Sequence, residues 1–134
     1  MNPFEFFIPQ NIIVGAGTLV RLPECAQKLG GTHAMLLSGP TLRKMGIVDK
    51  AAKYLEDAGM KVDIFTEIEA NPSVTTVEKA TTAFKEAGAD FIVALGGGSP
   101  MDVAKAVGVT AKYGGSITEY EGAHKVPGKI IPLI

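Results

Sequence analysis

The sequence predicts an α/β fold in which a Rossmann-like parallel sheet carries helices on both faces. Apolar, β-prone runs begin near His33, Lys61 and Phe91. They lie about 30 residues apart, which is the length of a strand, a helix and two short loops. Strands that alternate with helices in this way form parallel sheets covered on both faces. One domain spanning residues 1–134 is expected, because such a chain has room for one core and hardly for two.

The segment before the first of these runs predicts an N-terminal β-hairpin. Two short β-prone stretches between Phe4 and Val14 flank Pro9-Gln10-Asn11. The next residues, Val14-Gly15-Ala16-Gly17, are similar to the start of a G-x-G-x-x-G dinucleotide motif. Val20 stands where the third glycine belongs, and no βαβ unit surrounds the segment. A plain turn is therefore the preferred interpretation.

The two intervals between the apolar runs each predict a helix. Apolar residues recur at steps of three and four from Ile47 to Ala58, and Gly59 is expected to end that helix in the left-handed conformation. Ser73 is the expected N-cap of the next helix, and Gly88 is expected to terminate it.

The third apolar run leads into Gly96-Gly97-Gly98-Ser99, the most informative segment of the chain. A helix is expected to begin at Ser99, with Pro100 in its first turn, and to reach about Gly114. Glycines carry no Cβ, so a bulky anion can lie directly against their amides. The unpaired amides and the dipole of the helix point at the same place. The segment predicts a phosphate or pyrophosphate cradle; the alternative is a tight turn with an ordinary serine cap.

Asp102 has two interpretations that the sequence leaves open. It stands three residues after Ser99, where the carboxylate of a capping box would complement the helix dipole. In the other interpretation, the carboxylate accepts a hydrogen bond from an amide or hydroxyl of the ligand. Lys105, on the next turn, is more typical of a solvated helix position than of a phosphate ligand.

The last part of the chain predicts a Gly-rich loop region from Tyr113 to Lys129, followed by a hydrophobic strand from Ile130 to Ile134. A chain that stops inside such a strand leaves apolar surface uncovered. This favours a piece of a longer protein over a domain that ends on a short edge strand.

Composition and charge exclude several classes of function. The net charge of −1 provides no broad basic surface, and no apolar run approaches membrane-spanning length, so neither nucleic acid nor a membrane is an expected partner. No leader segment is recognisable, and the cytoplasm is the expected compartment. Cys25 is the single cysteine, which excludes an internal disulfide. His33 and His124 have no partners at ligand spacing, so we assign no metal ligand and no catalytic residue.

The glycine segment and its surroundings resemble one known family. The run from Gly96 to Lys105 is similar to the G-G-G-S-x-x-D-x-x-K signature of iron-containing (group III) alcohol dehydrogenases. Asn71-Pro72-Ser73 resembles the N-P-S/T segment of that family, and Val14-Gly15-Ala16-Gly17 resembles its turn into the first helix. Ile131 to Ile134 resembles the strand that leads to its threonine-rich loop. The likeness covers essentially the whole chain.

The resemblance implies a two-domain parent. Its N-terminal domain would bind NADP or NAD, and a C-terminal helical domain, absent from this chain, would hold a divalent metal, iron or zinc, through one Asp and three His. The substrate would be a small alcohol or aldehyde, and hydride would pass between it and the nicotinamide. The 134 residues alone are expected to bind dinucleotide without turning over alcohol. The family also implies a homodimer that pairs through the N-terminal strand, at Phe4 to Ile8.

Carried over by position, the resemblance assigns roles to the cofactor-binding residues. Gly97, Gly98 and Ser99, in the turn that Gly96 begins, would hold the pyrophosphate. Asp102 would meet the nicotinamide carboxamide, and Asn71 would line the cofactor cleft.

Gly39 bears on the choice of cofactor. Members that prefer NAD often carry an acid at the turn where this chain has Ser38-Gly39-Pro40. Gly39 offers no carboxylate to repel a 2′-phosphate, and Arg43 or Lys44 could approach one. The expectation is NADP use, or tolerance of both cofactors.

Three other readings remain as alternatives. The first is a stand-alone nucleotide-binding module without catalysis. A relative of the dehydroquinate synthases is disfavoured by the Ser99-Pro100 continuation of the glycine turn. A flavodoxin-like protein is compatible with the fold alone, which does not assign function.

Overall fold

The computed structural model describes residues 3–134 and contains a three-stranded parallel sheet. Its strands are β1 (His33–Ser38), β2 (Lys61–Phe65) and β3 (Phe91–Leu95), in the order β2-β1-β3. All three begin where the sequence predicts. Strand β1 lies in the middle, because Leu36 is in register with Ile64 on one side and Val93 on the other.

Five α-helices connect and cover these strands in the described part of the chain. The predicted helices after β1 and β2 are confirmed, with Gly59 and Gly88 in the left-handed conformation at their ends. The Ser73 hydroxyl caps the second of them by accepting a hydrogen bond from the Thr76 amide at 3.2 Å. The helices are α1 (Leu22–Lys28), α2 (Pro40–Lys44), α3 (Ile47–Asp57), α4 (Val74–Ala87) and α5 (Gly98–Tyr113), with short 3₁₀ turns at Thr18–Arg21 and Ile117–Tyr120.

The core consists of two layers, one on each face of the sheet. Helices α1 and α3 pack against one face, where alternate strand residues such as Leu36 and Phe91 are buried. Helices α4 and α5 pack against the other face, over Leu37 and Ile92. Side chains of neighbouring strand residues point to opposite faces, so a strand covered on both sides is apolar throughout. The expected Rossmann-like arrangement is confirmed.

Strand β2 departs from the apolar pattern because it lies at an edge of the sheet. Lys61 and Asp63 are exposed, and the Asp63 carboxylate lies 2.6 Å from Nε2 of His33 on β1. Charged side chains on an edge strand discourage pairing with other chains.

The last residues extend the sheet beyond β3. Leu133 forms a parallel bridge with Ile92. The Ile92 amide donates to the Pro132 carbonyl at 2.9 Å, and the Ala94 amide donates to the Ile134 carbonyl at 2.8 Å. The hydrophobic run from Ile130 therefore takes the position of a fourth parallel strand.

The predicted N-terminal hairpin is wrong for this chain. Residues 3–14 contain no strand, and Phe4, Phe6 and Phe7 are largely exposed. A two-stranded hairpin is marginally stable unless a hydrophobic face packs against something else. The described residues supply no surface that covers these side chains. Gly15 and Gly17 form the plain turn that was preferred, since Gly17 has a φ of 77° and caps the 3₁₀ turn at Thr18.

Candidate functional site

The carboxyl ends of the strands place three segments at one edge of the sheet. The parallel strands all end on the same side, so the turns after Ser38, Phe65 and Leu95 meet there. The fully buried Ser38 hydroxyl donates to the Leu95 carbonyl at 2.8 Å. This bond ties the end of β1 to the end of β3. Ligands of open α/β sheets bind at such an edge.

Gly96 makes the sharp turn out of β3. Its φ is 140°, a conformation that L side chains rarely adopt. A Cβ at this position would lie 3.0 Å from Pro100 Cγ and 3.6 Å from Leu42 Cδ1, the latter on α2. Glycine is therefore required here by both the backbone and its neighbours.

Gly97 and Gly98 face open space at the start of α5. A Cβ built on either residue would meet no atom within 4 Å. Gly97 is the N-cap, and no side chain accepts a hydrogen bond from the amides of the first turn. Helix α5 is 16 residues long, and the positive end of its dipole lies at this turn. An open cradle lined by free amides fits a diphosphate group.

Ser99 is not the N-cap that the sequence predicted. The helix begins one residue earlier, at Gly98, and Ser99 lies within its first turn. The extended conformation of Gly97, with φ −89° and ψ −150°, already directs the chain into the helix. The Ser99 hydroxyl and the amides of Gly97 and Gly98 therefore lie on the same turn. The hydroxyl accepts no hydrogen bond from the amides of the helix.

The capping-box interpretation of Asp102 is also wrong. Because the helix starts at Gly98, Asp102 lies beyond its first turn, and that turn has no acidic residue. The carboxylate lies 3.7 Å from Nζ of Lys105, and 72% of its side chain is exposed. Ion pairs this exposed contribute little to stability. The carboxylate is thus accessible to a ligand at the cradle end of α5.

Gly39 is the N-cap of α2 and stands next to the turn after β2. A Cβ on Gly39 would lie 3.7 Å from the carbonyl oxygen of Ile68. Arg43, on α2, is already paired with Asp49 at 3.0 Å. Lys44, the next residue on α2, makes no salt bridge among the described residues, so of these two cations it is the one that remains unpaired there.

Asn71 lies in the turn between β2 and α4 and has a φ of 52°. Its side chain is exposed. The nearby Glu69 carboxylate accepts hydrogen bonds from the Ser73 amide at 3.0 Å and from the Thr76 hydroxyl at 2.5 Å. The Thr76 hydroxyl, together with backbone amides of Glu69 and Ser73, lowers the pKa of Glu69 to about 2. Glu69 was not among the site residues predicted from the sequence. Its only sequence signal is an acidic residue four positions before Ser73, the N-cap of α4.

A largely apolar cavity of about 620 Å³ adjoins the outer side of α5. It lies between α1 and α5 and borders the C-terminal strand. Residues from five parts of the chain line it: Pro9, Gln10, Asn11, Cys25, Lys28, Leu29, Ala94, Met101, Lys105, Leu133 and Ile134.

No metal centre is apparent within residues 3–134. No three or more His, Cys, Asp or Glu side chains of that range come together as a metal site would require. The helices of the same range also include none with the length and hydropathy needed to span a bilayer.

A parallel sheet with helices on both faces and an open glycine turn at the tip of a long helix is typical of α/β domains that bind nucleotides. The family model for iron-containing alcohol dehydrogenase matches residues 9–134. The chain belongs to this family.

Individual relatives agree with the family model. The chain is 32% identical to the NAD-dependent methanol dehydrogenase of Bacillus methanolicus, over 97% of this chain and 34% of that protein. It is 40% identical to the NADPH-dependent butanol dehydrogenase of Clostridium saccharobutylicum, over 77% of this chain and 26% of that protein. The crystal structure of a 1,3-propanediol oxidoreductase matches with a TM-score of 0.93 and 35% identity, over 98% of this chain and 35% of that one. The chain thus spans about a third or less of the length of these relatives.

Proposed function

We propose that this chain is the NAD(P)-binding part of an alcohol dehydrogenase that transfers hydride between a small alcohol and the nicotinamide. The observation that carries the proposal is the open space over Gly97 and Gly98 at the tip of α5. A turn that served structure alone would have no need for consecutive glycines there, since each costs backbone entropy. Membership of the family supplies the reaction class.

The chain's own residues would bind and orient the cofactor. Amides of Gly97, Gly98 and Ser99 would donate to the diphosphate, and Gly96 would hold the turn in the required conformation. The exposed Asp102 carboxylate would accept from the nicotinamide carboxamide, while Asn71 would line the cleft. The bound dinucleotide supplies the hydride chemistry itself.

The proposal includes a divalent metal bound outside residues 3–134. That range offers no cluster of ligands for one, and the chain covers only about a third of its relatives. The 134 residues alone would accordingly bind dinucleotide and leave alcohol unchanged. We also propose that exposed apolar residues from Phe4 to Ile8 pair with a second copy of the chain, because nothing in the described residues covers them.

The reaction is tested by mixing the full-length protein, loaded with a divalent metal, with NADP or NAD and a series of small primary alcohols. Formation of reduced nicotinamide, seen by its absorbance, is the expected result. Its loss after treatment with a chelator and its return with added metal would support metal dependence. Tight cofactor binding without turnover of any alcohol would contradict the proposal and favour a nucleotide-binding module.

The identity of residue 39 is expected to set the choice between cofactors. Gly39→Asp should weaken NADP binding roughly tenfold, since a carboxylate close to a 2′-phosphate repels it, and should leave NAD binding equal or tighter. Fluorescence titration of both cofactors measures the change. Gly39→Asn is the matched control, because it adds the same bulk without the charge. Equal losses of NADP affinity in the two variants would contradict this role.

A further inference from the structure

The Glu69 carboxylate accepts two hydrogen bonds that together hold the loop between β2 and α4. The residue follows Ile68, which is 4% exposed and anchors the loop in the core. From there, the same carboxylate oxygen of Glu69 accepts from the Ser73 amide at 3.0 Å and from the Thr76 hydroxyl at 2.5 Å. These bonds join the start of the loop between β2 and α4 to its end.

The loop segment enclosed by these bonds contains Asn71. Its φ of 52° lies in the left-handed region, which asparagine adopts more readily than most residues with a side chain but which is still less favourable than the right-handed region. Contacts that hold the loop therefore help to keep Asn71 in this conformation. Pro72 restricts the backbone on one side of Asn71. The hydrogen bond from the Ser73 amide to the Glu69 carboxylate adds a second restriction. It fixes the distance across the three residues between them, Ala70, Asn71 and Pro72.

The contacts of Glu69 are not needed to begin helix α4. The Ser73 hydroxyl already caps the helix by accepting from the Thr76 amide at 3.2 Å. The Ser73 amide precedes the helix, so the bond to Glu69 acts on the loop and not on the helix ladder. An exposed glutamate without such a role would normally be solvated.

The loop also touches the proposed cofactor edge. The Ile68 carbonyl lies 3.7 Å from the place where a Cβ on Gly39 would stand. A loop held at Ile68, beside the turn after β1, and at Ser73 therefore limits the positions that Asn71 can take between them.

We propose that Glu69 is a positioning residue that holds Asn71 in the conformation needed to line the dinucleotide cleft. The proposal rests on the proposed function, because it concerns the same cofactor. Glu69 touches neither cofactor nor substrate in this role. It acts through the amide of Ser73 and the hydroxyl of Thr76.

The test uses the full-length protein and measures the Kd of NADP and NAD by fluorescence titration. Glu69→Ala should weaken binding of the preferred cofactor about fivefold, the effect of one lost hydrogen bond. The KM for cofactor should rise by a similar factor while kcat stays unchanged. Glu69→Gln keeps an acceptor oxygen and should restore most of the affinity. Glu67→Gln is the control, since Glu67 is an exposed acid on the same loop and the bonds to Ser73 and Thr76 belong to Glu69.

A double-mutant cycle with Asn71→Ala separates positioning from general loss of stability. Glu69→Ala should add nothing to the effect of Asn71→Ala, because the positioned side chain is already gone. Equal losses in both backgrounds, or no loss in either, would overturn the proposal while leaving the proposed function intact. If the unmodified protein binds neither cofactor, the proposed function itself fails and this role fails with it.

Discussion

Gly98→Ala is expected to stabilise the fold and at the same time to weaken dinucleotide binding by at least tenfold. Gly98 is the first residue of α5, and an added Cβ meets no protein atom within 4 Å. Replacing glycine by alanine at an unstrained helical position contributes about 0.4–1 kcal/mol, mainly through the entropy of the unfolded chain. The same Cβ would occupy space that the diphosphate requires. A displaced hydrogen bond to a charged group costs about 1.5–3 kcal/mol, roughly ten- to a hundredfold in affinity.

Thermal unfolding and cofactor titration of the same variant check the two effects separately. Gly96→Ala supplies the contrast, because its φ of 140° and the 3.0 Å approach to Pro100 Cγ make the substitution strained. That variant should lose stability and binding together. Unchanged cofactor affinity in a stabilised Gly98→Ala protein would show that the space above Gly98 is not the diphosphate site.

The periodic features of the fold could be predicted from the sequence because each depends on local chemistry. The starts of the strands at His33, Lys61 and Phe91 follow from runs of apolar residues that a two-sided sheet must bury. The helix stops at Gly59 and Gly88 follow from the left-handed conformation that glycine tolerates. None of these features requires knowledge of distant contacts.

The errors concern features that depend on neighbours in space. The hairpin at Phe4 to Val14 required a surface to pack against, which local β propensity cannot supply. No strand order was predicted, because the edge position of β2 depends on which strands pair in space. Helix α5 starts one residue earlier than predicted, and its N-cap lies two residues earlier, because Gly97, and not the better capping residue Ser99, has the conformation that leads into the helix. That shift alone removed Asp102 from the capping position.

The candidate site divides in the same way. Its glycines could be recognised from sequence, because consecutive residues without Cβ after an apolar run have few other uses. The role of Glu69 could not be recognised from the sequence, since the residue contacts Ser73 and Thr76 only once the loop has folded back. Positioning residues generally lack a sequence signal, because they act through backbone groups that every residue has.

Gly31→Ala is the second substitution with a large expected effect, and it should destabilise the fold by about 2–3 kcal/mol, the upper part of the range for overpacked cores. A Cβ on Gly31 would lie 2.5 Å from Cδ1 and 2.7 Å from Cε1 of Phe91. Phe91 is fully buried in the layer beneath α1 and α3, so its ring has no free space to enter.

The backbone at Gly31 cannot easily move away from this clash. The Gly31 amide donates to the Ala26 carbonyl at 3.1 Å, at the end of α1. On the other side, the Asp90 carboxylate accepts from the amides of Thr32 and His33 at 3.0–3.1 Å. Burial raises the pKa of Asp90, but the Thr32 hydroxyl and these amides together outweigh it and hold the pKa below its usual value. The Asp90 carboxylate therefore stays charged at neutral pH and keeps its hydrogen bonds to the amides of Thr32 and His33.

Chemical denaturation of four proteins, the parent, Gly31→Ala, Phe91→Leu and the double variant, measures the clash directly. Leucine lacks the ring atoms that the new Cβ meets, so the double variant should be more stable than the sum of the single effects predicts, by about 1 kcal/mol or more. Additive effects would mean that the loss arises elsewhere than at the ring. Gly98→Ala serves as the control, because it is the same chemical change at a place where the methyl group meets nothing. Opposite signs for these two glycine-to-alanine changes would show that space in the folded state, and not glycine content, decides their effect on stability.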